Sequence, residues 1–140
     1  MNARRAVAIA AAVTLAGFAG RAVACGGDPT PVNLVATPAV KAALRTAYLE
    51  GHRQIDPAQV SGPLPGRTYY GSFGGDGYAV ATFAVRGQAQ YPTILMHHPK
   101  WKWHVVRDTH GGVCARFVPE PLIGIWYLEQ WRHTDCFLEP

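Results

Sequence analysis

Apolar residues recur with the spacing of a helix just after position 37. They fall at i, i+3, i+4, i+7 and i+8 and therefore share one helical face, which consists of Val40, Ala43, Leu44, Ala47 and Tyr48. Thr37 can cap the N-terminus, Pro38 suits the first helical position, and Gly51 can end the helix. The pattern predicts a helix over 38–50 whose small apolar residues pack against a sheet.

Beyond a proline-containing connector at 54–66 the apolar residues alternate, which is typical of strands. The predicted strands are 67–73, 78–85, 93–97 and 101–107, with a short extended segment at 114–118. The first two strands flank the glycine-rich turn Gly74-Gly75-Asp76-Gly77, and such a turn predicts a hairpin.

A second, short helical segment is predicted around Leu122 to Trp126, loosened by Gly124. The long helix precedes the strands instead of alternating with them, so the predicted class is α+β. We expect a single domain over 37–140. It would have one N-terminal helix packed on an antiparallel sheet of about four strands, followed by the short C-terminal helical segment.

Residues 1–24 have the features of an export signal. Two arginines near the start precede an apolar, alanine-rich run, and Ala22-Val23-Ala24 fits the small-x-small pattern of a cleavage site. The run is shorter than the roughly 20 residues that span a bilayer. We therefore expect a cleaved signal peptide at 1–24, a flexible tether at 25–36, and a secreted or cell-envelope location.

The signal also accounts for most of the positive charge. The chain has 13 Lys+Arg and 9 Asp+Glu residues, a net charge of +4. Arg4, Arg5 and Arg21 belong to the signal, which contains no acidic residue. No run of like charges remains, so a nucleic acid is not an expected partner. Membrane contact is expected only through the signal or through a lipid on Cys25.

Export would place the three cysteines in an oxidising compartment, where thiols tend to pair. Cys114 and Cys136 both lie in the folded part and are predicted to form a disulfide that ties down the C-terminal segment. Closing this loop would restrict the unfolded chain by about 3 kcal/mol. Cys25 would be the first residue after cleavage, and three fates remain open for it: lipid attachment, a free or intermolecular thiol, or another pairing within the chain.

The histidines between positions 97 and 110 give a weak signal for chemistry. His97, His104 and His110 are the candidate metal ligands, since imidazole binds zinc and copper. Asp108, His110 and His104 are the candidate catalytic residues, since an Asp/His pair can transfer protons. No nucleophile motif accompanies them. Solvent-facing histidines explain the pattern more simply, and no metal or cofactor is assigned.

Three aromatic residues form the candidate partner surface: Tyr69, Tyr70 and Trp101. The two tyrosines are adjacent on a strand, so one of them would face away from the core, on an open face of the sheet. Alternation with lysines favours Trp101 and Trp103 in the core, yet Trp101 lies nearest the predicted turn. An exposed aromatic residue at either place would suit a docking partner.

A series of core, turn and cysteine motifs runs from about position 40 to position 126. The motifs are Ala43-Leu44, Ala47-Tyr48, Tyr69-Tyr70-Gly71, Tyr78-Ala79-x-Ala81-Thr82-Phe83, Trp103, Asp108-Thr109-x-Gly111-Gly112-x-Cys114, Val118-Pro119 and Trp126. Their order resembles that of a loose group of small exported actinobacterial proteins of unknown function. The resemblance implies export and a compact single domain, and it implies no activity.

These patterns favour an exported, non-enzymatic binding or interaction module whose partner is an unidentified protein or cell-envelope component. Two alternatives stay open. One is a small exported hydrolase that uses Asp108 and His110, and the other is an envelope metal-binding protein that uses the histidine-rich region. The sequence leans against an enzyme.

Overall fold

The computed structural model describes residues 28–138, so the predicted signal peptide and Cys25 lie outside the described residues. Within this range the chain is a mixed fold of helices and antiparallel sheets. Three sheets are found there in place of the single sheet of about four strands that we expected. The main sheet has five strands, and the other two have three each.

The strands of the described range are short, each two to six residues long. In chain order they are β1 (Val32–Asn33), β2 (Val60–Ser61), β3 (Thr68–Phe73), β4 (Asp76–Ala81), β5 (Ala84–Val85), β6 (Gln88–Ala89), β7 (Thr93–His97), β8 (His104–Asp108), β9 (Val113–Cys114), β10 (Glu129–Gln130) and β11 (Cys136–Leu138). The main sheet has the order β1-β3-β4-β7-β8, and the smaller sheets have the orders β10-β11-β9 and β2-β5-β6.

Helix α1 spans Pro38–Gly51 and agrees with the predicted helix to within one residue. The backbone N–H of Val40 donates a hydrogen bond of 3.3 Å to Thr37 Oγ1, which is the predicted N-cap. Gly51 serves a different purpose from the one expected. A Cβ at this position would lie 2.9 Å from Val105 Cγ2, so the glycine allows the end of α1 to approach β8 closely.

Part of the predicted tether pairs with the main sheet. Val32 and Asn33 pair with Ser72 and Gly71 of β3, and the N–H of Leu34 donates to Tyr70 O at 2.9 Å. Gly71 permits this approach, because a Cβ there would lie 2.7 Å from the carbonyl oxygen of Val32. The ordered sheet therefore begins before α1.

Two predicted strands have different bounds in the structure. The segment 78–85 is divided, because the backbone of Thr82 bonds to Arg67 and Leu64 after β4 has ended, and β5 joins another sheet. The last strand of the main sheet begins only at His104. Before it, the N–H of Trp101 donates to His98 O at 2.9 Å and closes a turn.

Both faces of the main sheet are covered within residues 28–138. Helix α1 packs on one face, over a core of Leu44, Ala47, Tyr48, Val60, Ala79, Ala81, Phe83 and Leu95. Helix α2 (Glu120–Ile125) and the segments around it pack on the other, over Val80, Ile94, Val113, Val118, Leu122, Ile123, Trp126 and Leu128. The open sheet face that we expected to display a tyrosine is therefore not found in the described range.

The predicted disulfide between Cys114 and Cys136 is present. The two residues are directly paired across β9 and β11, so the bond reinforces a small sheet that also includes β10. The bond fastens the C-terminal segment beside the loop that follows β8. None of the helices in the described part of the chain is both long and apolar enough to cross a membrane.

Candidate functional site

The structure does not bring the three candidate catalytic residues together. Asp108 Oδ2 lies 2.7 Å from His52 Nε2, and the hydroxyl of Thr93 donates to Asp108 Oδ1 at 2.8 Å. His110 is exposed, with its ring 6.4 Å from that of Tyr91. His104 begins strand β8 and Asp108 ends it, about 13 Å away at the usual rise of a strand.

The sequence patterns did not identify His52, which is the histidine that Asp108 contacts. It caps the C-terminus of α1, and its Nδ1–H donates to Tyr48 O at 2.7 Å. Both ring nitrogens therefore face oxygen atoms of the protein. A catalytic histidine needs a nitrogen directed at the substrate or nucleophile, so His52 acts here as a link between α1 and β8.

Tyr48 supports this link from the core side. Its ring stacks on that of His52 and on that of Phe83, with centroids 4.1 Å apart in each pair. Burial raises the pKa of the Tyr48 phenol, and the negative charge of Asp108 raises it further. The phenol therefore stays neutral to a higher pH than an exposed tyrosine does.

The candidate metal ligands His97, His104 and His110 do not converge. Among residues 28–138, the group of metal-ligand side chains whose atoms lie within 4.8 Å of one another consists of Cys114, Asp135 and Cys136. The disulfide consumes both thiols of this group. What is left is one exposed carboxylate, which does not make a metal site.

The three residues of the candidate partner surface lie in different environments. Tyr69 is half-buried in the core under α2, with its ring centroid 6.0 Å from that of Trp126. Tyr70 is half-buried and approaches Trp103 at 5.8 Å. Trp101 is 62% exposed in the turn before β8, so it is the member of the three that a partner can reach.

A cavity of about 360 Å³ lies where β8 ends and the disulfide-bonded strands begin. We call it the arginine pocket. Its walls include Arg107, Arg116, Phe117 and Trp131, together with both cysteines of the disulfide. Asp108 and His110, which the sequence put forward as catalytic candidates, also contribute to its lining.

Two guanidinium groups give this pocket its charge. Arg107 Cζ lies 5.2 Å and Arg116 Cζ 5.0 Å from the centre of the Phe117 ring. Neither arginine forms an ion pair with a residue in the described range. Asp108 contributes one negative charge to the same lining, where it is hydrogen-bonded to His52 and to a threonine hydroxyl. The two guanidinium groups outweigh this single carboxylate, so the pocket has a net positive charge, with aromatic rings beside it.

No pattern along the chain indicated that these arginines meet. Arg107 belongs to β8, whereas Arg116 and Phe117 follow β9, and the disulfide brings β11 and Trp131 to the same place. No protein-family model, curated protein or solved structure matches the chain.

Proposed function

We propose that the protein is an exported binding domain that takes a small anionic ligand with an aromatic or apolar group in the arginine pocket. The observation that carries the proposal is the pair of guanidinium groups at Phe117, which have no carboxylate partner in the described range. An anion bound beside these guanidinium groups would supply a compensating negative charge.

The anionic group and the aromatic or apolar group of the proposed ligand each match a feature of the pocket. The planar guanidinium group matches the oxygens of a carboxylate or phosphate, and it also packs on aromatic rings. Phe117 and Trp131 offer apolar surface next to this charge. A volume of about 360 Å³ lies at the lower end of the range for small-molecule sites. A carboxylate or phosphate on an aromatic ring would suit both the size and the charge.

The same geometry favours binding over catalysis. The carboxylate of Asp108 and both ring nitrogens of His52 are hydrogen-bonded within the protein, and none of them is directed at an accessible nucleophile in the described range. Export, either as a secreted or as an envelope-associated protein, is part of the proposal, and the signal-like residues and the disulfide support it. The ligand would then be a cell-envelope component or an extracellular compound.

The binding test compares naphthalene-2-carboxylate with naphthalene-2-carboxamide by isothermal titration calorimetry. The two probes share the ring and differ in charge, so the carboxylate should bind at least about tenfold more tightly. Arg107→Met and Arg116→Met should each weaken the binding of the carboxylate and leave the binding of the carboxamide nearly unchanged. Arg53→Met, at an exposed arginine outside the pocket, is the matched control. Equal affinity for the two probes would contradict the proposal.

Export is tested by the intact mass of the protein recovered outside the cytoplasm. The expected mass is that of a chain beginning at Cys25, with or without an attached lipid. An unprocessed N-terminus would contradict this part of the proposal.

A further inference from the structure

A second cavity, of about 630 Å³, adjoins the arginine pocket. Gly111 and Leu138 belong to the walls of both cavities, so the two meet at these residues. Gly111 adopts a φ of 102° and has no side chain to divide the space. A ligand extended from the arginine pocket toward Gly111 and Leu138 would therefore approach the second cavity.

The second cavity also contains an arginine. Arg67 lies in its wall together with Gln90 and Tyr91, and no ion pair of Arg67 occurs within residues 28–138. The backbone of Arg67 is fixed at both ends, because its N–H donates to Leu64 O and its carbonyl accepts from the N–H of Thr82. The second cavity therefore has a cationic residue of its own, which does not belong to the lining of the arginine pocket.

The charges are arranged around an apolar middle. Arg107 and Arg116 line the arginine pocket, Arg67 lines the second cavity, and Leu138 lines both. Resting on the function proposed above, we infer that the ligand is elongated and carries two acidic groups. One group binds Arg107 and Arg116, the apolar part runs past Leu138, and the second acidic group binds Arg67.

The test uses naphthalene-2-carboxylate extended at carbon 6 by an aliphatic chain that ends in a second carboxylate. The comparison compound has the same chain ending in a primary amide, and several chain lengths are made. At the best length the second carboxylate should improve the affinity by about tenfold over the amide. Isothermal titration calorimetry measures both compounds and the unextended parent.

Variants at position 67 test whether Arg67 causes this gain in affinity. Arg67→Met should abolish the difference between the acid and the amide, and it should leave the affinity for the parent compound unchanged. Arg67→Lys should retain part of the difference, because it keeps the charge and loses the planar fork. Arg53→Met, outside both cavities, should retain all of it.

The outcomes separate the two proposals. If the parent compound does not bind, the proposed function is wrong and this inference falls with it. If the parent binds but the acid and the amide are equal at every chain length, the elongated ligand alone is wrong. An Arg67→Met variant that weakens the parent as much as the extended acid would also overturn it, because Arg67 would then act on the arginine pocket itself.

Discussion

The ring of His52 joins the end of helix α1 to the end of strand β8. Its Nδ1 atom lies 2.7 Å from the carbonyl oxygen of Tyr48, and its Nε2 atom lies 2.7 Å from Oδ2 of Asp108. The side chain of His52 is 12% exposed, whereas that of Asp108 is 54% exposed. The bond is therefore sheltered on one side only, and we expect a modest contribution to stability.

A double-mutant cycle measures this contribution. The variants His52→Ala and Asp108→Ala, alone and combined, should give a coupling free energy of about 1 kcal/mol in chemical denaturation. The control pair is Glu50 and Lys102, whose charged atoms are 4.0 Å apart and whose side chains are largely exposed. Its coupling should be close to zero. A coupling for His52 and Asp108 no larger than that of the control pair would contradict the link.

The raised pKa of Tyr48 predicts that the folded protein loses stability at high pH. Its pKa is raised in the folded state, so the unfolded chain loses the phenol proton first, above a pH of about 10. The free energy of unfolding should therefore fall as the pH rises beyond that value. Tyr48→Phe should make the fall shallower without removing it, because burial and Asp76 also raise the pKa of Tyr78. Denaturation curves of equal pH dependence for the two proteins would contradict this reasoning.

At the scale of elements, the disulfide-bonded strands form a wall of the arginine pocket. Cys136 and Leu138 belong to β11, Cys114 belongs to β9, and all three line the pocket. The remaining wall comes from the end of β8 and the loop that follows it, together with Ile94, Arg116, Phe117 and Trp131. The shape of the pocket therefore depends on a covalent bond as well as on packing.

Removing this bond should affect stability and binding together. The double variant Cys114→Ser, Cys136→Ser should lose about 2–5 kcal/mol of unfolding free energy. At a temperature where circular dichroism shows it still folded, it should bind naphthalene-2-carboxylate more weakly. Cys25→Ser is the matched control and should change neither quantity. Unchanged affinity in the folded double variant would show that the pocket does not need the bond.

At the scale of the whole molecule, the local features of the fold were predictable from the sequence. Helix α1 and the β3–β4 hairpin depend on residues that are neighbours in the chain, and both were predicted. The covered second face was not predicted. It requires α2 to return across the main sheet, and Gly71 to leave room for both β1 and Leu122. Such contacts between distant segments leave no periodic pattern.

The candidate site, like the fold, was predictable only where its residues are neighbours in the chain. Asp108 and His110 were singled out because they are close in sequence, and both line the arginine pocket. Arg107, Arg116 and Trp131 were not singled out, because each belongs to a different segment. Pairing of β9 with β11 brings these segments together.

The central claim is that an aromatic anion binds in the arginine pocket, and amide chemical shifts in ¹H–¹⁵N spectra test it most directly. On titration with naphthalene-2-carboxylate, the account predicts that the largest shifts fall on Arg107, Gly112 and Phe117, and that they are lost in an Arg107→Met, Arg116→Met double variant. Shifts confined to the turn around Trp101, or no saturable shifts at all, would contradict it.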